Sequence, residues 1–326
     1  MKKQIYSLIS LSILILFPFI TQGQEAGYPP IEPDESFEPY VRFEEETGRY
    51  YIAHLRDAET GKIYEAVYEP PTLISPTLNM SLEFDQLYWY SYVLVNGGES
   101  RQGVSSFRMY IKEQFHEIDF PDPWFYRESR TEDFIQVVHR RFQRQEREEG
   151  EPIMVESDLS IGDSLQFIVE SEYPPSITDV FVSGRPTVLN FHFVLAPLPE
   201  VQDLRDSLRT QVEGADHRGV LVKTIGPKAI PENTTNTELA DTLSSYVTQS
   251  CDLGWIENQG ICRSLQANLD NVKRQLEQGN TQTAANNLQA FLNEVGAIKD
   301  RHLSSEAYAL LKYNGEYLLN RLKEQD

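Results

Sequence analysis

Apolar residues in the last quarter of the chain recur at helical spacing. Between Ser264 and Leu276 they fall at Leu265, Leu269, Val272 and Leu276, on one face of a helix. Gly279-Asn280 then reads as a helix stop, with Thr281 or Thr283 placed to cap the next start. A second stripe runs through Ala284, Leu288, Phe291, Leu292 and Val295. A third, opened by Ser304-Ser305-Glu306, presents Tyr308, Leu311, Gly315 and Leu318. Helices this short are marginal alone, so the pattern predicts a packed three-helix module over 246–326.

Upstream the period changes from helical to two. Tyr50–Leu55 and Ile63–Tyr68 are short runs divided by the turn-rich interval Asp57–Gly61. Leu78–Phe84 alternates large apolar with polar residues, and Leu87–Asn96 is dense in aromatic and β-branched types. Asn96-Gly97-Gly98 turns the chain into Val104–Ile111, and further strands are expected at 161–170, 177–182 and 188–195. Short strands without long intervening helices predict an antiparallel β-sandwich over 50–196. One stretch departs from this. Thr131–Glu149 sets Phe134, Val137, Val138, Arg141 and Phe142 at helical spacing, which predicts a helical insertion. Its arginines at 140, 141, 144 and 147 are candidates for an anionic ligand, but interleaved glutamates favour a solvated, self-paired face.

The remaining segments read as connections. Residues 24–49 carry prolines at 29, 30, 33 and 39 among acids, an extended lead-in whose Glu44-Glu45-Glu46 run is a solvated face. Residues 197–245 read as a linker, with a short helix at Val201–Val212 and a Gly/Pro/Thr/Asn-rich interval from Gly214 to Asn236. Residues 1–23 have the pattern of a secretory signal: Lys2 and Lys3, an apolar run from Ile5 to Ile20, then Thr21-Gln22-Gly23. An uncleaved anchor is the competing reading; Pro18 and the small-residue site favour cleavage. No membrane span is expected after it.

Export changes how the two cysteines are read. Cys251 and Cys262 bracket one short arm, and an oxidising compartment pairs such residues. Closing so short a loop stabilises a fold by about 3 kcal/mol on the chain-entropy model. Two cysteines with no histidine nearby do not make a metal cage. Across the 326 residues the formal charge is −21, a surface that repels nucleic acid and anionic headgroups. Hydrophobic residues at 40% and aromatics at 11% are enough to build packed cores.

No reaction centre is legible. The histidines at 54, 116, 139, 192, 217 and 302 form no ligand pair, and there is no nucleophile elbow, phosphate loop or calcium loop. His192, between Phe191 and Phe193, reads as an ordinary surface or packed histidine. No catalytic residue, metal or cofactor is called for. Aromatic rings are the better candidates for binding. Tyr88, Trp89, Tyr90 and Tyr92 lie in one strand, where alternation assigns half to the core. Trp124, Phe125 and Tyr126 follow Pro123 in what reads as an exposed loop, and are the candidate contact residues.

The run Gly254-Trp-Ile-Glu-Asn-Gln-Gly-Ile261, with Ser264-Leu265, Gly279-Asn280, Ala285, Leu288–Val295 and Ala307-Tyr308, resembles the FIMAH domain. That family is a small helical module at the C-terminal ends of exported bacterial proteins, some of them hydrolases. The resemblance implies an accessory, extracytoplasmic role and transfers no catalytic residues. Thr224-Ile225-Gly226-Pro227 looks like the linker that often precedes it. The cysteine pair, and Leu292 where isoleucine is commoner, depart from the family pattern. Tyr88–Asn96, Ser100-Arg-Gln102 and Ser106-Phe107 are similar to a strand-turn-strand signature of secreted bacterial proteins, which implies an Ig-like sandwich. The expectation is therefore a secreted, non-catalytic protein at the cell exterior that binds a glycan, an envelope component or a protein. A polysaccharide-directed enzyme or a structural envelope component is the alternative.

Overall fold

A computed structural model describes residues 41–57, 62–111, 114–139, 158–185 and 219–324. The expected signal segment, the lead-in up to residue 40, the strand at 188–195 with His192, the helix at Val201–Val212 and the arginines at 140–147 lie outside them. The chain divides into two compact units, one of residues 1–74 with 183–219 and the other of residues 75–182 with 220–326.

In the first unit, β1 (Val41–Glu44), β2 (Arg49–Asp57) and β3 (Lys62–Tyr68) form an antiparallel sheet in the order β1-β2-β3. Gly48, at φ 68°, turns β1 into β2, and its amide donates to the Glu44 carbonyl at 2.7 Å. Only glycine takes that backbone region at no steric cost. Glu45 and Glu46 are exposed in this turn. The strands anticipated at 50–55 and 63–68 therefore exist, but in a sheet separate from the sandwich.

The second unit contains two antiparallel sheets followed by four helices. The first sheet has the order β4-β5-β10-β7, from β4 (Pro76–Asp85), β5 (Leu87–Asn96), β7 (Glu117–Asp119) and β10 (Ser164–Ser171). The second has the order β12-β11-β6-β9-β8, from β6 (Val104–Met109), β8 (Trp124–Glu128), β9 (Ile135–His139), β11 (Pro175–Gly184) and β12 (Val220–Pro227). In immunoglobulin lettering the first sheet falls in the A-B-E-D places and β12-β11-β6 in the G-F-C places. Alternation builds the layer between them: Tyr90, Tyr92 and Leu94 of β5 and Phe167 and Val169 of β10 face Phe107, Met109, Val137 and Ile225. Tyr92 stacks on its cross-strand neighbour Phe167 at 4.8 Å within the first sheet, and Phe167 carries contact across the gap to Phe107 at 5.3 Å. The buried Tyr92 hydroxyl donates to the Ile225 carbonyl at 2.7 Å, so its polar tip is satisfied by the opposite sheet.

Two expectations fail here. Residues 135–139 form a strand, not part of a helical insertion. Ile135, Val137 and His139 are buried at period two, and β-branched residues favour the pleated surface. The interval 214–236 is not simply a linker either. It supplies β12, and Gly226 within it is packing-driven, since a Cβ there would lie 2.8 Å from Ile111 Cγ2.

The helical module has four helices rather than three: α1 (Asn236–Asp252), α2 (Gln259–Glu277), α3 (Thr281–His302) and α4 (Ser305–Glu324). The unanticipated α1 opens on a capping box in which Thr235 and Glu238 satisfy each other's backbone amides. Its stripe of Leu239, Leu243 and Val247 joins Leu265, Leu269, Leu288, Phe291, Leu311 and Leu318 in one core. Gly279, at φ 73°, ends α2 with the amides of Gly279 and Asn280 returned to Leu276 and Gln275, so the anticipated stop is real. Cys251 and Cys262 are bonded, tying the end of α1 to the first turn of α2.

The helices are packed onto the sandwich. Tyr313 of α4 donates its hydroxyl to the Leu82 carbonyl at 3.0 Å and sets its ring edge-on to Tyr88 at 5.7 Å. Asn314 donates to the Pro175 carbonyl at 2.8 Å, and the hydroxyls of Tyr246 and Ser176 meet at 3.0 Å. Tyr313→Phe keeps the ring and deletes the donor to Leu82. It should cost about 1 kcal/mol, read from denaturant unfolding.

Burial pushes the Tyr88 phenol up to about 12, with Glu316 adding to the shift, and burial likewise raises Tyr90, Tyr92, Tyr246 and Tyr313. The folded state resists losing these protons, so the associated stability is present below the ordinary phenol value of 10.0 and lost as pH rises through about 12. The thermal midpoint should therefore hold across neutral pH and fall in that alkaline window, in step with tyrosinate absorbance.

Candidate binding surfaces

The three residues expected in an exposed loop lie instead on β8. Register pairs Trp124 with His139, Phe125 with Val138 and Tyr126 with Val137. Trp124 is only 9% exposed, 6.5 Å from the Phe107 ring and edge-on to the His139 ring at 5.2 Å. Its role as a free stacking ring is thereby corrected: pairing with β9 turns it into the core. Phe125 is half-buried beneath the Arg127 guanidinium, 5.1 Å away, and Tyr126 is exposed with its ring edge-on to Phe115 at 5.7 Å. The structure therefore does not present the three as one aromatic patch.

A different ring is presented. Alternation along β5 that buries Tyr88, Tyr90 and Tyr92 turns Trp89 outward, where it is 40% exposed on the outer face of the four-stranded sheet. Its register partners are Glu83 on β4 and Glu170 on β10, and Glu170 is in turn paired with Glu117 on β7. Directly paired residues share a face, so a single row across the sheet reads Glu83, Trp89, Glu170, Glu117. Glu83 and Glu117 are exposed and Glu170 is half-buried. Asp119 stands in the adjoining row opposite Ile168, which is itself opposite Ser91.

Chemically the row combines one broad apolar plane with acceptors. Carboxylates at neutral pH accept hydrogen bonds and do not donate them, while an indole face stacks on flat C–H surfaces. Like charges placed directly opposite on paired strands weaken a sheet, so Glu170 against Glu117 is a local cost with no return visible in the fold. The sequence signal for this site was the alternation around Trp89. The glutamates were not legible, because they come from strands whose pairing no local pattern specifies.

Among the described residues, no group of three or more His, Cys, Asp or Glu is placed to hold a metal, and no helix is long and apolar enough to cross a membrane. Residues 240–320 match the model of the FIMAH domain, which accounts for most of the four-helix module. That is a domain of exported bacterial proteins. No curated protein matches the chain.

The placements of the rings separate packing from binding. Trp124→Ala should destabilise the fold by about 3–5 kcal/mol, as expected for an aromatic removed from a core. Tyr126→Ala should stay within about 1 kcal/mol, and paired chemical-denaturation curves measure both.

Proposed function

We propose that this chain is an exported, non-catalytic binding protein of the cell exterior, and that it recognises a glycan through the outer face of its four-stranded sheet. The observation that carries the reading is Trp89, exposed at the middle of a cross-strand row of carboxylates. A sugar ring offers an apolar C–H face to stack on indole and hydroxyl donors for the flanking carboxylates. A nucleic acid is disfavoured by the same charges. Export is supported by the apolar leader pattern of residues 1–23, the Cys251–Cys262 bond and the FIMAH match. In this reading the helical module is a fixed accessory to the sandwich rather than a swinging tail.

The test is retention of the full chain on insoluble polysaccharides and isolated cell envelopes. Trp89→Ala should weaken retention by about tenfold or more while leaving the thermal midpoint nearly unchanged, because the ring is outside the core. Glu117→Gln should raise stability by a few tenths of a kcal/mol and weaken retention, since it relieves repulsion that the ligand's hydroxyls otherwise offset. Retention that is absent on every matrix, or indifferent to both changes, overturns the reading. Release of soluble sugar from a retained polymer would instead identify a polysaccharide-directed enzyme.

A further inference from the structure

We propose that the cleft between α3 and α4 is a second ligand site, built for a neutral, hydroxyl-rich saccharide unit. It lies on the helical module, on residues distinct from the Trp89 row, and depends on the glycan reading only for the class of probe. Its volume is ≈ 410 Å³, within the range of small-molecule sites. Leu292, Val295 and Leu319 make an apolar floor. One wall is a four-residue repeat along α4, Tyr308, Lys312, Glu316 and Asn320, which helical geometry stacks on one face. The other wall is α3, with the carboxamides of Gln289 and Asn293 and the bare backbone of Gly296.

Gly296 is the residue that the fold does not explain. It sits inside a 22-residue helix, where glycine is less favourable than alanine, and a Cβ there would meet nothing within 4 Å. Gly315 on the facing helix is the control: its Cβ would lie 2.7 Å from Leu292 Cδ2, so close helix packing accounts for it. A solvated groove between helices needs no glycine in its wall. A ligand that approaches the backbone does.

The surrounding groups select the ligand class. Gln289, Asn293 and Asn320 each offer a donor and an acceptor, which suits hydroxyls that are both. Lys312 and Glu316 stand one turn apart in the same wall, so an anion would meet Glu316 and a cation would meet Lys312. A neutral polyhydroxyl ring uses both groups. Tyr308 is held at the edge of the cleft by two ammonium groups, Lys299 at 5.6 Å and Lys312 at 5.7 Å from its ring centre, which fixes the position of its ring.

Titration calorimetry on the full chain with neutral cello-, xylo- and manno-hexaoses tests the site. At least one should bind saturably, and Asn293→Ala and Gly296→Ala should each weaken it by about tenfold or more. Gly296→Ala should at the same time raise the thermal midpoint, because alanine stabilises an open helical position. The site is overturned if no hexaose binds saturably at millimolar concentration, or if binding is indifferent to both changes. It is equally overturned if Gly296→Ala lowers the thermal midpoint, which would make the glycine structural. Binding abolished by Trp89→Ala but untouched by the cleft variants would leave the sheet-face reading standing and remove this one.

Discussion

The contact between Tyr313 and the first sheet is the constraint on which the second unit depends. Phe84 and Tyr88 are the last pair on the inward side at one end of the β4–β5 ladder; Phe84 stays half exposed, and α4 covers Tyr88, which without it would face water. Tyr313 lies against both rings and sends its hydroxyl to the Leu82 carbonyl, so the end of the ladder gains apolar cover and a satisfied acceptor from one side chain. Asn314 does the same polar work for Pro175 at the start of β11. Burying aromatic area and polar backbone together is favourable only when each polar group finds a partner, which is what these contacts supply. The helical module is thus part of the sandwich's closure, and its register along the sheet is set by two adjacent residues of one helix.

That rigidity bears on the proposed work of the protein. A helical domain joined by a flexible linker would let two binding surfaces move independently. Here β12 runs within the second sheet and leads to the capped start of α1, so little free chain separates the modules. The sheet face and the α3–α4 cleft are therefore held on one body. Both candidate sites were found where a local rule is broken without structural benefit: like charges paired across strands in one, glycine inside an open helix in the other.

Much of the architecture was legible in advance, and the failures have definite causes. Leu265, Leu269 and Val272 showed the period of a helix, and β5 showed the alternation of a half-buried strand, because both are written over ten or more residues. The segment before His139 was misread because Phe134, Val137 and Val138 fit a helical face over so short a window. Helix α1 escaped because Thr242, Ser244, Ser245, Thr248 and Ser250 dilute its apolar stripe, and such hydroxyls compete for backbone hydrogen bonds. Thr242 does so, donating to the Glu238 carbonyl at 2.8 Å. The Thr235–Glu238 spacing was the signal that marked its start.

Local chemistry alone determined the class of most segments: strands then helices, an oxidisable cysteine pair on one short arm, and a strand of tyrosines with one tryptophan turned the other way. Those properties depend on neighbours a few positions apart, which the covalent chain supplies. Tertiary structure alone decided which rings are hidden and which charges meet. Trp124 became core because β9 pairs beside it, and Glu83, Glu170 and Glu117 lined up with Trp89 because their four strands are hydrogen-bonded in one register. Such pairings join different strands, β10 reaching β5 and β7 across long stretches of chain, and the packing of complementary faces selects them rather than any pattern within one segment.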